Sequence, residues 1–200
     1  MENKYIDLLK ERRSIYALGR NVSLSNENIM ELVKKAIKES PTAFNSQTSR
    51  AVVLFGESHE KLWSLTETAL KSAIPEGQDF TPTIKKLDSF RSGYGTILFF
   101  EEMSIVKHLQ EQFALYADNF PVWSEQSSGI AQHSVWTALA LESIGASLQH
   151  YNPLIDDAVH SEWNLPSEWK LRAQMPFGSI EAPAPAKEYM DDDERVLSFN

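Results

Sequence analysis

The spacing of apolar and polar positions predicts most of the chain's elements. Residues 3–12 carry Tyr5, Leu8 and Leu9 at helical spacing with charges on the other face. A second helix follows Ser25, placed to cap it, with Glu27 in its first turn. Its stripe of Ile29, Leu32, Val33, Ala36 and Ile37 keeps the i, i+3, i+4, i+7, i+8 spacing, and Pro41 ends it. "AVVLF" (51–55) and "TILFF" (96–100) read as short apolar strands. Helices are expected over 58–73, 103–117 and 155–163, and a polar loop over 75–83. The run "GIAQHSVWTALALESIG" (129–145) is apolar nearly all round, which predicts a central helix buried on several sides. Ser127 or Ser128 is placed to cap it and Gly145 to close it. "LRAQMPFG" (171–178) alternates like a half-exposed strand, and "APAPAK" (182–187) reads as an extended surface segment leading to "ERVLSF".

Helices dominate this pattern, and the strands are separated by single helices or helix pairs. An α+β or three-layer arrangement is therefore expected over a doubly wound sheet, as one domain spanning residues 1–200. An apolar fraction of 42%, with five Trp and ten Phe, is enough for a sizeable core. The net charge of −9 argues against nucleic acid or an anionic membrane as the main partner, since both need a basic footprint. Any pocket for a small anion must then be built from a few specific Arg and Lys side chains. The chain has no cysteine, which removes disulfides, thiolate metal sites and cysteine nucleophiles and suits a reducing cytosol. The opening "MENKYIDLLKERRS" alternates charge with apolar residues, unlike a signal peptide, and no run is long enough to span a membrane. A cytoplasmic protein is expected.

Several common chemistries find no support in the motifs. The dinucleotide fingerprint is absent, "GYG" at 93–95 leads straight into a strand, and there is neither a P-loop nor a G-x-S-x-G. The histidines at 59, 108, 133, 150 and 160 lack metal-ligand spacing, so no metal site is expected, and His59 and His160 read as surface residues. Three anion and amide features remain. "ERRS" (11–14) ends the first helix with two guanidinium groups and a hydroxyl, which suits a phosphate but equally answers the helix dipole. Asn45-Ser46-Gln47 is either polar turn chemistry or a donor–acceptor pair for the edge of a flavin's pyrimidine ring. Gln149, His150 and Tyr151, after the central helix, are either a satisfied buried corner or part of the same site.

"ERRSIYALG", "SPTAFNSQTSRAVVLFG", "GIAQHSVWTALALESIGASLQHYNP", "PFGS" and "KEYMDDDERVLSF" occur in the order and at the separations of the FMN-dependent nitroreductase family. The chain resembles the compact bacterial and fungal branch related to yeast Frm2 and Hbn1. The resemblance implies a nitroreductase-like three-layer fold, with a central mainly antiparallel sheet flanked by helices, built as an intertwined homodimer with FMN at each of two subunit interfaces. It places Arg12, Arg13 and Ser14 at the FMN phosphate and ribityl chain, and Tyr16 near the ring. Asn45, Ser46 and Gln47 would approach the ring and ribityl oxygens from the neighbouring subunit. Gln149, His150 and Tyr151 would pass the flavin's reactive edge, and Lys187 would reach the phosphate. Many relatives carry a late Lys-x-Arg pair, whereas here the next arginine after Lys187 is Arg195, for which an ion pair with a nearby acid is an equal reading. The implied activity is electron transfer from NAD(P)H to a nitroaromatic or quinone-type small-molecule acceptor by a ping-pong mechanism. The flavin carries the chemistry, and no catalytic acid or base of the protein is strictly required. The alternative is a flavin-binding regulatory or stress-response protein, motivated by the short connection between the 96–100 strand and the central helix.

Overall fold

The computed structural model describes residues 3–75 and 77–199. Five strands form one sheet: β1 (Leu18–Gly19), β2 (Ser49–Phe55), β3 (Gly95–Glu102), β4 (Gly145–Ala146) and β5 (Trp169–Ile180). All named pairings are antiparallel, in the order β1-β5-β3-β2 with β4 also on β5. The helices are α1 (Lys4–Glu11), α2 (Asn26–Lys38), α3 (Gly56–Ala73), α4 (Thr81–Arg91), α5 (Met103–Gln112), α6 (Asn119–Leu141) and α7 (Asp156–Trp163). Among the described residues no helix is long and apolar enough to cross a membrane.

The three layers follow from the period-two geometry of β3, which is buried on both faces. Ile97 and Phe99 point to one core with Ile29 and Val33 of α2 and Val135 and Leu139 of α6. Leu98 and Phe100 point to the other, with Trp63 of α3, Phe90 of α4 and Val159 of α7. Between Phe99 and Phe100 the β5 partner jumps from Ala173 to Leu171, so Arg172 is an extra residue in the ladder. The bulge turns Leu171 toward the α3/α4/α7 core, while Ala173, Met175 and Phe177 face α2 and α6.

The fold class is as expected from the pattern, and Ser25 caps α2 by accepting from Asn28 N at 3.3 Å. Details differ, among them the end of the expected 103–117 helix, which stops at Gln112. α4 replaces the end of the expected loop and continues to Arg91, anchored by only Leu87 and Phe90, too sparse a stripe to read. The central helix starts at Asn119, ten residues before the expected 129, and Ser127 and Ser128 lie inside it rather than capping it. Those serines are buried but satisfied: Ser127 Oγ donates to Trp123 O at 2.8 Å, and Ser128 Oγ accepts from Gln132 Nε2 at 2.9 Å. Polar letters that look like a loop are thus compatible with a buried helix face once each hydroxyl finds a partner. Pro121 fits because N–H groups of a first helical turn have no intrahelical partner.

Gly145 does not close α6; Ser143 takes the left-handed position at φ 58°, and Gly145 lies in β4. A Cβ there would stand 2.9 Å from the Ile15 and Ile180 side chains, so glycine lets residues 14–15 approach the sheet. β5 is not half-exposed: it is buried from Ala173 to Gly178, because it is an inner strand, between β3 and the short β1 and β4, in a sheet with a hydrophobic core on each face. Arg195 makes no ion pair among the described residues; its backbone N–H donates to Asp192 O at 3.0 Å, closing a short 3₁₀ turn.

Candidate functional site

The cationic candidates are gathered where α1 ends. Asn3 caps α1 and the helix stops at Glu11, so Arg12 and Arg13 leave it in extended backbone toward β4. Ser14 forms a parallel bridge with Ala146, and Ile15 N donates to Ala146 O at 2.9 Å. The carboxy-terminal segment returns to the same place: Arg13 Nη2 donates to Pro185 O at 2.7 Å, two residues before Lys187. Lys187 Nζ lies 4.9 Å from the centroid of the Tyr189 ring, and Tyr16, two residues after Ser14, is 52% exposed.

Arg12 stacks its guanidinium over Trp136 of α6, 4.3 Å from the ring centroid. Burial, then the charge of Arg13, lowers the Arg12 pKa; burial, then Arg12, lowers that of His133. Two cations thus sit side by side, partly desolvated, with no carboxylate paired to Arg12 among the described residues. Arg12 Nε and Trp136 Nε1 are both buried donors without a protein acceptor. Native structures rarely leave such donors unsatisfied, and an anionic group is the ligand this donor set fits. Trp136 was not legible as a site residue, because in an apolar helix an indole reads as core.

The amides lie elsewhere. Ala43–Asn45 form a 3₁₀ turn in which Asn45 N donates to Thr42 O at 3.0 Å, and just beyond it Gln47 N donates to Thr42 Oγ1 at 3.0 Å. Arg50 Nη1 donates to Gln47 O at 2.7 Å, so the arginine that ends this stretch braces the turn. Phe44, Asn45 and Gln47 have φ of 57°, 50° and 51°. Asn tolerates that region; a bulky residue there costs roughly 1–2 kcal/mol. Asn45 and Gln47 are exposed and Ser46 half-buried. Beneath them, Glu101 is fully buried and accepts from Ser49 Oγ and Ser124 Oγ, each at 2.6 Å.

The third group sits between these two. Gln149 and Gln174 exchange backbone hydrogen bonds at 2.7 and 2.9 Å, and Gln174 Oε1 accepts from Tyr151 N at 2.7 Å. Gln149 is buried and donates to Ser147 Oγ, His150 is exposed, and burial raises the Tyr151 pKa as its ring packs edge-on to Trp63. Gln174 is therefore the residue that fastens this segment, a role its strand position did not advertise.

Ladder register measures the separation. Ser49 stands opposite Glu101, which stands opposite Lys170, whereas Ala146, the partner of Ser14, stands opposite Phe177. Those levels are seven positions apart along β5, one of them the bulge residue Arg172, roughly 20 Å at the rise of a strand. Within one chain the cationic group and the amide turn occupy opposite ends of the sheet.

Residues 9–179 match the Nitroreductase family. Among curated proteins the chain is 37% identical over 197 residues to the nitroreductase HBN1 of Saccharomyces cerevisiae, covering 97% of each. Among solved structures it is similar to the nitroreductase CinD of Lactococcus lactis in complex with nicotinic acid. That pair shares 56% identity and a TM-score of 0.91, over 98% of this chain and 100% of the other. A nitroreductase with bound FMN from Desulfitobacterium hafniense shares the fold at 16% identity, with a TM-score of 0.71 over the full length of both chains.

Proposed function

This chain belongs to the nitroreductase family, and from that premise we propose that it is an FMN-dependent oxidoreductase. It passes reducing equivalents from NADH or NADPH to a nitroaromatic or quinone-type acceptor. The observation that carries the reading is the Arg12 environment: a desolvated guanidinium beside a second arginine, with two buried N–H donors lacking acceptors. A flavin phosphate supplies the missing charge and acceptors. Bound FMN would supply the centre that takes and gives up hydride.

The chain's own residues bind, orient and exclude water. Arg12 and Arg13 hold the phosphate end, with Ser14 as a neutral donor and Lys187 brought near by the Arg13–Pro185 bond. Gln149 to Tyr151, fixed by Gln174, line the middle of the site. Asn45, Ser46 and Gln47 present amide and hydroxyl groups to the ring edge. In this reading the amide turn, which lies at the opposite end of the sheet from Arg12, comes from a second copy. That separation supports an intertwined homodimer, with the exposed Val196, Leu197 and Phe199 as apolar surface for the same partner. We assign no phosphate role to Arg195. No side chain is given an acid–base role.

The regulatory alternative loses its motivation. The connection between β3 and residue 129 is not a short loop but α5, a 3₁₀ turn and the first ten residues of α6. The test is direct. Reconstituted protein should be yellow, and initial rates with a nicotinamide donor and a nitrobenzoate or benzoquinone acceptor should give the parallel lines of a ping-pong cycle. Failure to take up FMN, or intersecting lines, would overturn the reading.

A further inference from the structure

The turn that presents Asn45 and Gln47 is bent through left-handed backbone at three of the four residues 44–47. Asn45 accepts that conformation readily; Phe44 and Gln47 do not. A strained turn persists only when its surroundings over-determine it, so something must hold Phe44 in place. Its side chain is 53% exposed, yet its ring meets four others. Centroids lie at 5.1 Å to Phe113, 5.3 Å to Phe120, 5.9 Å to Trp123 and 6.5 Å to Tyr116, with the Trp123 ring tilted only 21° from parallel.

Phe120 and Trp123 belong to the first turns of α6, and so does Ser124. Ser124 donates to Glu101, which accepts from Ser49 at the far end of the same turn. The segment 44–49 is thus held at both ends by one short stretch of helix: by an aromatic stack at Phe44 and by a bridging carboxyl at Ser49.

We propose that Phe44 is a positioning residue: its ring, seated on Phe113, Phe120 and Trp123, holds the left-handed turn that aims Asn45 and Gln47 together at the flavin. This assignment rests on the flavin reading above. It makes the aromatic array a support for cofactor orientation rather than a surface that happens to be apolar.

FMN titration of the apoprotein, read by quenching of flavin fluorescence, tests it across a variant series. Phe44→Ala should weaken binding about tenfold while leaving the thermal unfolding midpoint close to the parent's, and Phe44→Tyr should restore affinity. Phe44→Gly, which relaxes the backbone and removes the ring, should bind no better than Phe44→Ala. In an Asn45→Ala/Gln47→Ala background, Phe44→Ala should add nothing, because no side chains remain to be aimed. Parent-like affinity in Phe44→Ala or Phe44→Gly, failure of Phe44→Tyr to rescue, or a fully additive penalty in the double-variant background would overturn the proposal. Arg12→Ala separates the two failures. If it loses FMN while Phe44→Ala does not, only the positioning role falls; if the parent takes up no FMN, the flavin reading falls first.

Discussion

Two residues show how a local environment sets a measurable property. Arg12 is held over Trp136 with an unpartnered Nε, so removing it should remove a charge-assisted contact to an anionic ligand. Arg12→Ala is expected to weaken FMN binding by about 1.5–3 kcal/mol, and an FMN titration checks it. His59 is the residue whose placement the pattern misjudged: expected at the surface, it is 1% exposed. Its Nδ1 faces Thr96 Oγ1 at 2.8 Å and its Nε2 faces Arg91 O at 3.2 Å, while Trp63 Nε1 donates to the same hydroxyl at 3.1 Å. The arrangement suits a neutral ring that donates from Nε2 and accepts at Nδ1. Burial is the main cause that lowers its pKa from 6.5 to about 4. Between those values the unfolded chain binds the extra proton. The stability this neutral ring contributes is therefore intact above pH 6.5 and lost as pH falls toward 4, by up to ~3 kcal/mol. Urea unfolding midpoints across that range should show the slope in the parent and lose most of it in His59→Gln.

At the scale of elements, the β5 bulge and the first half of α6 are one device. The extra residue Arg172 reaches from the sheet to Glu125 of α6, and Glu101 joins β2, β3 and α6 through two serine hydroxyls. The alternating pattern of 171–178 could not show a bulge, because a single inserted residue changes which face Leu171 serves without changing the letters. Ser124→Ala leaves one oxygen of a fully buried carboxyl without its donor, which should cost about 1–3 kcal/mol. Thermal unfolding should record that as a fall of several degrees in Tm. An unchanged midpoint would mean that α6 is not fastened through Glu101.

For the whole molecule the decisive quantity is the distance between the two halves of the candidate site. If the halves of one site come from different copies, then Arg12→Ala and Asn45→Ala damage different sides of it. A heterodimer of those two variants contains one site damaged on both sides and one intact site. Co-expressed variants, isolated by two tags, should recover FMN binding and turnover near half the parent level. Each single-variant homodimer should stay low. If both halves belonged to one chain, no heterodimer would contain an intact site and no recovery would appear.

The sequence by itself determined the elements with strong periodicity, the three-layer α+β class and the family motifs, because these depend on spacing along the chain. It also carried the candidate residues Arg12, Ser14, Asn45 and Gln47 as short motifs. What it left open at each was a choice between turn or helix-end chemistry and a binding role. Only tertiary structure decided the rest: that His59 is buried, that Ser127 and Ser128 line a helix instead of starting one, that Arg12 rests on Trp136, and that Phe44 braces the amide turn. Each of these turns on which groups meet across tens of residues, and desolvation and hydrogen-bond satisfaction act on those meetings, which no local pattern encodes.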